Sequence, residues 1–139
     1  MFTGKLRWLP MAVCLLGGIA HGQQAKFSPG RATEREIAGG GQHRYQLRLR
    51  AGQFMSVVVE QKGIDVTVLL VAPDGKQLAE TNLTGPLGRE SLSYEAKVSG
   101  NYRIVISAVS ADAAVKGAYE ARLEVKAEPI KLELHCPQV

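Results

Sequence analysis

The sequence predicts an all-β chain, an antiparallel sandwich or small barrel of seven or eight short strands. Three observations carry that expectation. Apolar and polar residues alternate with a period of two through most of the chain, as in strands with one buried face. Gly, Pro and Asp clusters fall between these runs at short spacing. No window offers a convincing amphipathic helix; Ala108 to Val115 is the best candidate, and it is short. With 139 residues, 45% of them hydrophobic and 22% charged, there is room for one ordinary domain, and the chain is too apolar to be disordered.

The first element reads as a leader rather than part of the fold. Lys5 and Arg7 form a basic start, and Leu9 to Ile19 is apolar or Gly apart from Pro10. Ala20-His21-Gly22 then sets small residues where a signal peptidase reads. The apolar run is far shorter than the roughly 20 residues of a membrane-spanning helix. Pro10, Gly17 and Gly18 would also break a buried helix. Cys14 does not make a lipoprotein signal, because bulky Val13 precedes it.

The sequence therefore predicts export from a bacterial cell (periplasmic or secreted), with residues 1–22 a signal peptide and a mature start near Gln23. Losing Lys5 and Arg7 lowers the formal charge from +4 to +2, and Cys136 is left as the only Cys. A charge of +2 with interspersed signs gives no electrostatic case for nucleic acid. A single Cys cannot form an internal disulfide.

Residues 23–32 read as a loose N-terminal segment and 33–127 as the β-domain. Tyr45, Leu47 and Leu49 alternate with Arg44, Gln46, Arg48 and Arg50. Phe54 to Val59 and Val66 to Ala72 are more continuously apolar and rich in Val, as central strands are. Leu92, Tyr94, Ala96 and Val98 alternate with Ser91, Ser93, Glu95 and Lys97. Tyr102, Ile104 and Ile106 follow, and then Tyr119, Ala121, Leu123 and Val125. Leu47, Val68, Leu92, Tyr94, Tyr102, Ile104, Tyr119 and Leu123 are the expected core. Gly39-Gly40-Gly41, Ala51-Gly52, Pro73-Asp74-Gly75 and Ser99-Gly100 mark the turns.

One junction resists a simple hairpin. If Ala51-Gly52 closed a two-residue turn, Leu49 would face Phe54, and Val57 and Val59 would fall on the face of Gln46 and Arg44. A bulge, or a strand that crosses between sheets at Gly52, would repair the pattern.

The order of motifs is similar to that of a known family. Gly39-Gly40-Gly41-Gln42-His43-Arg44-Tyr45-Gln46-Leu47 is followed by Ala51-Gly52-Gln53, Val57-Val58-Val59 and Gly63-Ile64-Asp65-Val66. Pro73-Asp74-Gly75, Gly100-Asn101-Tyr102-Arg103-Ile104 and Gly117-Ala118-Tyr119-Glu120 complete the set. Over about residues 30–127 this resembles the bacterial pre-peptidase C-terminal (PPC) domain. The likeness is to the version behind the signal peptide of exported proteins with tetratricopeptide repeats and a caspase-like CHAT peptidase. The resemblance implies a jelly-roll-like sandwich without catalytic residues, an accessory to a larger polypeptide. The chain is then a stand-alone copy or the front end of a longer gene.

A search for chemistry agrees with a non-enzyme needing no cofactor. His43 and His135, the histidines left after processing, lack an acid or nucleophile at motif spacing and read as solvated or capped. Gly39-Gly40-Gly41 lacks the Lys-Ser/Thr ending and helix of a phosphate loop and reads as a flexible connection. Asn82-Leu83-Thr84 is a glycosylation sequon in form only. Some members of the resembled family bind calcium, for which Asp65, Asp74 and Glu90 are the candidates. Asp65-Val66-Thr67-Val68 lacks a second acid, and turn chemistry accounts for Asp74.

Sugar binding wants exposed aromatic platforms. Tyr45, Tyr94, Tyr102 and Tyr119 lie on the apolar side of their strands, which leaves only Phe27 free. A transmembrane barrel would need longer strands and aromatic girdles.

What remains is contact. Arg44, Arg48 and Arg50 share an outward face that is either a solvated strand or a docking patch for an acidic partner. In the tail, residues 128–139, Ile130, Leu132 and Leu134 alternate with polar residues and form a candidate extra strand or edge for a partner. Cys136 would be open to an intermolecular disulfide, so self-association is a further expectation. The sequence thus reads as a non-catalytic exported accessory or interaction domain with a protein partner. Its competitor is a small exported carbohydrate- or calcium-binding protein.

Overall fold

The computed structural model describes residues 24–127. The leader at 1–22 and the tail residues Ile130, Leu132, Leu134, His135 and Cys136 lie outside the described residues. Nine strands follow one another: β1 (Gln24–Lys26), β2 (Ala32–Ala38), β3 (Gln42–Leu49), β4 (Phe54–Lys62), β5 (Val66–Val71), β6 (Gln77–Thr81), β7 (Arg89–Glu95), β8 (Gly100–Ala108) and β9 (Lys116–Lys126). They form a five-stranded sheet, β1-β3-β8-β5-β6, packed on a four-stranded sheet, β2-β9-β4-β7. Every neighbouring pair is antiparallel except the short β1, which runs parallel to β3. The expected antiparallel sandwich is observed, with β1 an addition.

Consecutive strands change sheet at every connection but one, the β5–β6 hairpin around Pro73-Asp74-Gly75. This settles the junction at Gly52 in favour of a sheet crossing. β3 belongs to one sheet and β4 to the other, so Met55, Val57 and Val59 point into the core while Phe54 points out. Gly52 takes the left-handed φ of 85° that the turn needs, and its N–H donates to the carbonyl of Ala96 at 2.7 Å.

The core follows the alternation. In the five-stranded sheet Tyr45 pairs in register with Ile104, Ile104 with Leu70, and Ile106 with Val68. Facing them, Val57 stands between Leu92 and Leu123. All eight of these are buried. Of the expected core, Tyr94 is half-buried and tilted on Tyr102, with ring centroids 6.2 Å apart.

Three local expectations are corrected. Val98 is 56% exposed, because β7 ends at Glu95 and residues 97–99 form the turn to β8. The sequence offers no convincing helix, and its best candidate, Ala108 to Val115, is accordingly the last strand residue of β8 and a loop. Phe27 is not free: it is 4% exposed and stacks on Tyr45 at 4.5 Å. The Gly39-Gly40-Gly41 connection is packed rather than loose. A Cβ on Gly39 would lie 1.9 Å from the carbonyl oxygen of Asp112, so only glycine lets the two backbones touch there.

Candidate interaction surfaces

His43 begins β3 and is half-buried rather than solvated. Its Nδ1 lies 2.7 Å from the Tyr119 hydroxyl, which lies 2.5 Å from the Tyr45 hydroxyl. Burial, and then the Arg35 charge, hold His43 below its ordinary pKa, so the ring is neutral near pH 7. A neutral ring whose Nδ1 accepts from Tyr119 leaves Tyr119 to accept from Tyr45. Burial, reinforced by Tyr45, pushes the Tyr119 phenol up, so it does not ionise. Arg35 pairs in register with Tyr119, and its Nη1 is buried without a hydrogen-bond partner. The histidine's partner is a tyrosine, not a carboxylate or nucleophile, and the network ties β3 to β9 across the core.

The three calcium candidates do not meet. Asp74 Oδ1 accepts from the Lys76 N–H at 2.9 Å, the turn role expected of it. Asp65 Oδ1 is buried without a hydrogen-bond partner. Among the described residues no group of three or more His, Cys, Asp or Glu is placed to hold a metal ion.

Glu90 has a different task. It is 1% exposed at the second position of β7 and accepts four hydrogen bonds from the end of β6 and the β6–β7 connection. The donors are the Thr81 hydroxyl (2.6 Å), the Leu83 N–H (2.9 Å), the Thr84 N–H (2.7 Å) and the Thr84 hydroxyl (2.8 Å). Burial alone would raise its pKa, but these donors outweigh burial and hold it below the ordinary value.

From the other side, Gln61 Nε2 donates to Thr84 Oγ1 (3.0 Å) and to the Gly85 carbonyl (3.1 Å). The Gly63 N–H reaches the Pro86 carbonyl at 2.8 Å. The loop of residues 82–88 is thus clamped by β7 and β4, neighbouring strands of the four-stranded sheet, and on it Leu83 is 89% and Leu87 83% exposed. Alternation could not find this loop, because its order comes from a residue in the next strand. The signal present in the sequence was an acidic residue at an inward-facing position.

The structure places two residues of the expected arginine row on one face and the third off it. Arg44 and Arg48 are exposed on the outer face of β3. Arg50 lies beyond the strand, in the turn, where its N–H donates to Gln53 Oε1 at 2.7 Å. The sheet supplies a replacement from β8: Arg103 stands opposite Gln46, between the positions of Arg44 and Arg48.

Among the described residues no ion pair involves these four arginines. The pairs that do form belong to the other sheet: Lys62 with Glu34 and Glu120, Arg89 with Glu60, Arg122 with Glu120 and Lys126 with Glu124, plus Lys97 with Glu95 at its rim. Among the described residues no helix is long and apolar enough to cross a membrane.

No protein-family model matches the chain, and no curated protein matches it significantly. Solved structures do. The periplasmic PliG of Aeromonas hydrophila, an inhibitor of g-type lysozyme, aligns with a TM-score of 0.52 and 19% identity over 69% of this chain and 85% of that one. The pre-peptidase C-terminal domain of a Bacillus anthracis collagenase aligns with a TM-score of 0.58 and 14% identity over 73% of this chain and 95% of that one. At such identities the likeness is one of fold, and the fold of this chain is a β-sandwich like that of the pre-peptidase C-terminal domain.

Proposed function

We infer that this chain is a non-catalytic domain, exported from a bacterial cell, that works by contact with another protein. One observation carries the reading. The sandwich spends a buried carboxylate, a costly group to desolvate, on holding a loop that presents two nearly naked leucines. An isolated exposed Leu needs no explanation, but two on a clamped loop make a pre-organised anchor of the kind partners bury. The two similar folds support the reading, since one is described as an inhibitor of another protein and the other as a domain of a larger enzyme. In the same reading the domain serves a larger repeat or peptidase protein as an accessory.

A photo-crosslinking residue at Leu87, with one at outward Ser93 as control, tests it in the producing bacterium. A protein captured at Leu87 and not at Ser93 is expected. The purified pair should then lose about tenfold or more in affinity with the double variant Leu83→Ser, Leu87→Ser. A g-type lysozyme is a defined partner to assay beside it. Equal labelling at both positions, or a rise in melting temperature with calcium or a glycan alone, would overturn the reading.

A further inference from the structure

We propose that the outer face of the five-stranded sheet is a docking surface for an extended acidic segment of a partner protein, held by Arg44, Arg48 and Arg103. The inference rests on the reading that the domain works by protein contact, but on a surface separate from the Leu83–Leu87 loop. Arg44 and Arg48, four residues apart on one strand, place their Cα atoms about 13 Å apart. Arg103, register partner of Gln46, stands midway and about 4.8 Å to the side. An extended chain repeats its side chains on one face about every 7 Å, so carboxylates at alternate residues meet Arg44, Arg103 and Arg48 in turn. Each guanidinium can take a carboxylate through two parallel N–H groups.

Two of the three arginines, Arg44 and Arg103, are positioned rather than free-floating. Arg44 Nε donates to Gln42 Oε1 at 3.0 Å. Val105 and Val71 point outward yet are buried, and they are the register neighbours of Arg44 and Arg103, whose aliphatic stems flank them. Positioned heads lose less freedom on binding.

The surroundings select the occupant. No aromatic residue stands on the outer face of β3, β5 or β8, so there is no platform for stacking bases and no anchor for a bilayer interface. A second copy fits poorly, because face to face it sets Arg against Arg. On its other face Glu34, Glu60, Glu120 and Glu124 are already engaged with Lys62, Arg89, Arg122 and Lys126, and Glu36 is a single exposed carboxylate without an ion pair among the described residues, too few to match three arginines.

The test uses the exported protein and a fluorescent peptide alternating about six Glu with Ser, titrated at low salt. A peptide with the same Glu in one block, oligo(dT), and phosphatidylglycerol vesicles form the other arms. The alternating peptide should bind best, and raising salt to about 0.5 M should weaken it about tenfold or more. Arg44→Glu with Arg48→Glu, or Arg103→Glu alone, should cost about tenfold or more, and Arg122→Glu on the opposite face less than about twofold.

Arg44→Gln with Arg48→Gln, checked by thermal melting, separates lost binding from lost folding. Equal losses from the two faces, equal binding of the block peptide, or tighter binding of oligo(dT) or vesicles would overturn the proposal. Leu83 and Leu87 lie on a separate loop, so their variants should leave peptide binding unchanged. The two readings therefore fail separately.

Discussion

On the outer face of the four-stranded sheet, Lys62 lies between Glu34 and Glu120, and Arg89 sits on Glu60. Across the core, Arg44, Arg48 and Arg103 share a face on which, among the described residues, none has a carboxylate within ion-pair distance. Both faces rest on the same core and the same alternation, so the fold does not demand the difference. Charges satisfied within the molecule add little to stability and offer little to a partner. Charges left unpaired repel one another slightly and remain available. Net charge blurs this, because a formal +4 says nothing about which sheet carries it.

The largest expected effect removes what the two faces share. Ile104 lies between Tyr45 and Leu70 in the sheet register and is fully buried. Ile104→Ala should cost about 2–5 kcal/mol in denaturant unfolding, with both faces lost in one transition. A cost below about 0.5 kcal/mol, the range of surface changes, would mean the sheets are not packed through this residue. Next comes the clamp of the loop at one end of the sandwich. Glu90→Ala strands the Thr81, Leu83 and Thr84 donors and should cost about 1–3 kcal/mol, with amide exchange rising first at residues 82–88. The effect has a pH signature, because the folded pKa of Glu90 lies below its ordinary 4.5. Its contribution is complete above 4.5 and is lost as pH falls through the folded value. Glu90→Gln should remove that acid dependence.

Much of the architecture was legible because burial on one face leaves a period of two. The eight core positions named from alternation are buried, apart from half-buried Tyr94. Pairing was not legible. Gly52 and the glycines at 39–41 announce where strands end, but a turn signal does not say whether the chain returns to its own sheet or crosses to the other. That choice is made by long-range packing. The candidate surface was half legible for the same reason. Arg44 and Arg48 share a face by spacing along one strand, whereas Arg103 joins them only through the β3–β8 register. Arg50 drops out because β3 ends at Leu49. Phe27 and Glu90 show the opposite limit, since Phe27 is held by Tyr45 on β3 and Glu90 by Thr81 and the loop that precedes its own strand.

The His43–Tyr119–Tyr45 network makes a milder prediction about the join between the sheets. His43 is held below its ordinary 6.5 by burial and by Arg35, so the unfolded chain binds the proton more readily than the folded one. Stability is therefore full above pH 6.5 and declines as pH falls through the folded pKa. His43→Gln should flatten the melting-temperature profile in that window. A profile unchanged by the substitution would mean the ring titrates freely.

The smallest effect bears most directly on the contrast between the faces. Lys62→Glu places a carboxylate between Glu34 and Glu120, trading two attractions for two repulsions, so the melting temperature should fall. Arg48→Glu removes a like charge from beside Arg44 and Arg103 and gives them a partner, so the melting temperature should hold or rise slightly. Ser93→Ala, which loses an exposed bond of 3.2 Å to Ser56, sets the baseline at under about 0.5 kcal/mol. Because both charge effects are Coulombic and exposed, about 1 M salt should bring the two variants together, since the Debye length there is only about 3 Å. Opposite signs at low salt and convergence at high salt would confirm that one face is self-paired and the other is not. If Arg48→Glu lowers the melting temperature as much as Lys62→Glu does, Arg48 already has a partner within the molecule and is not free to hold another.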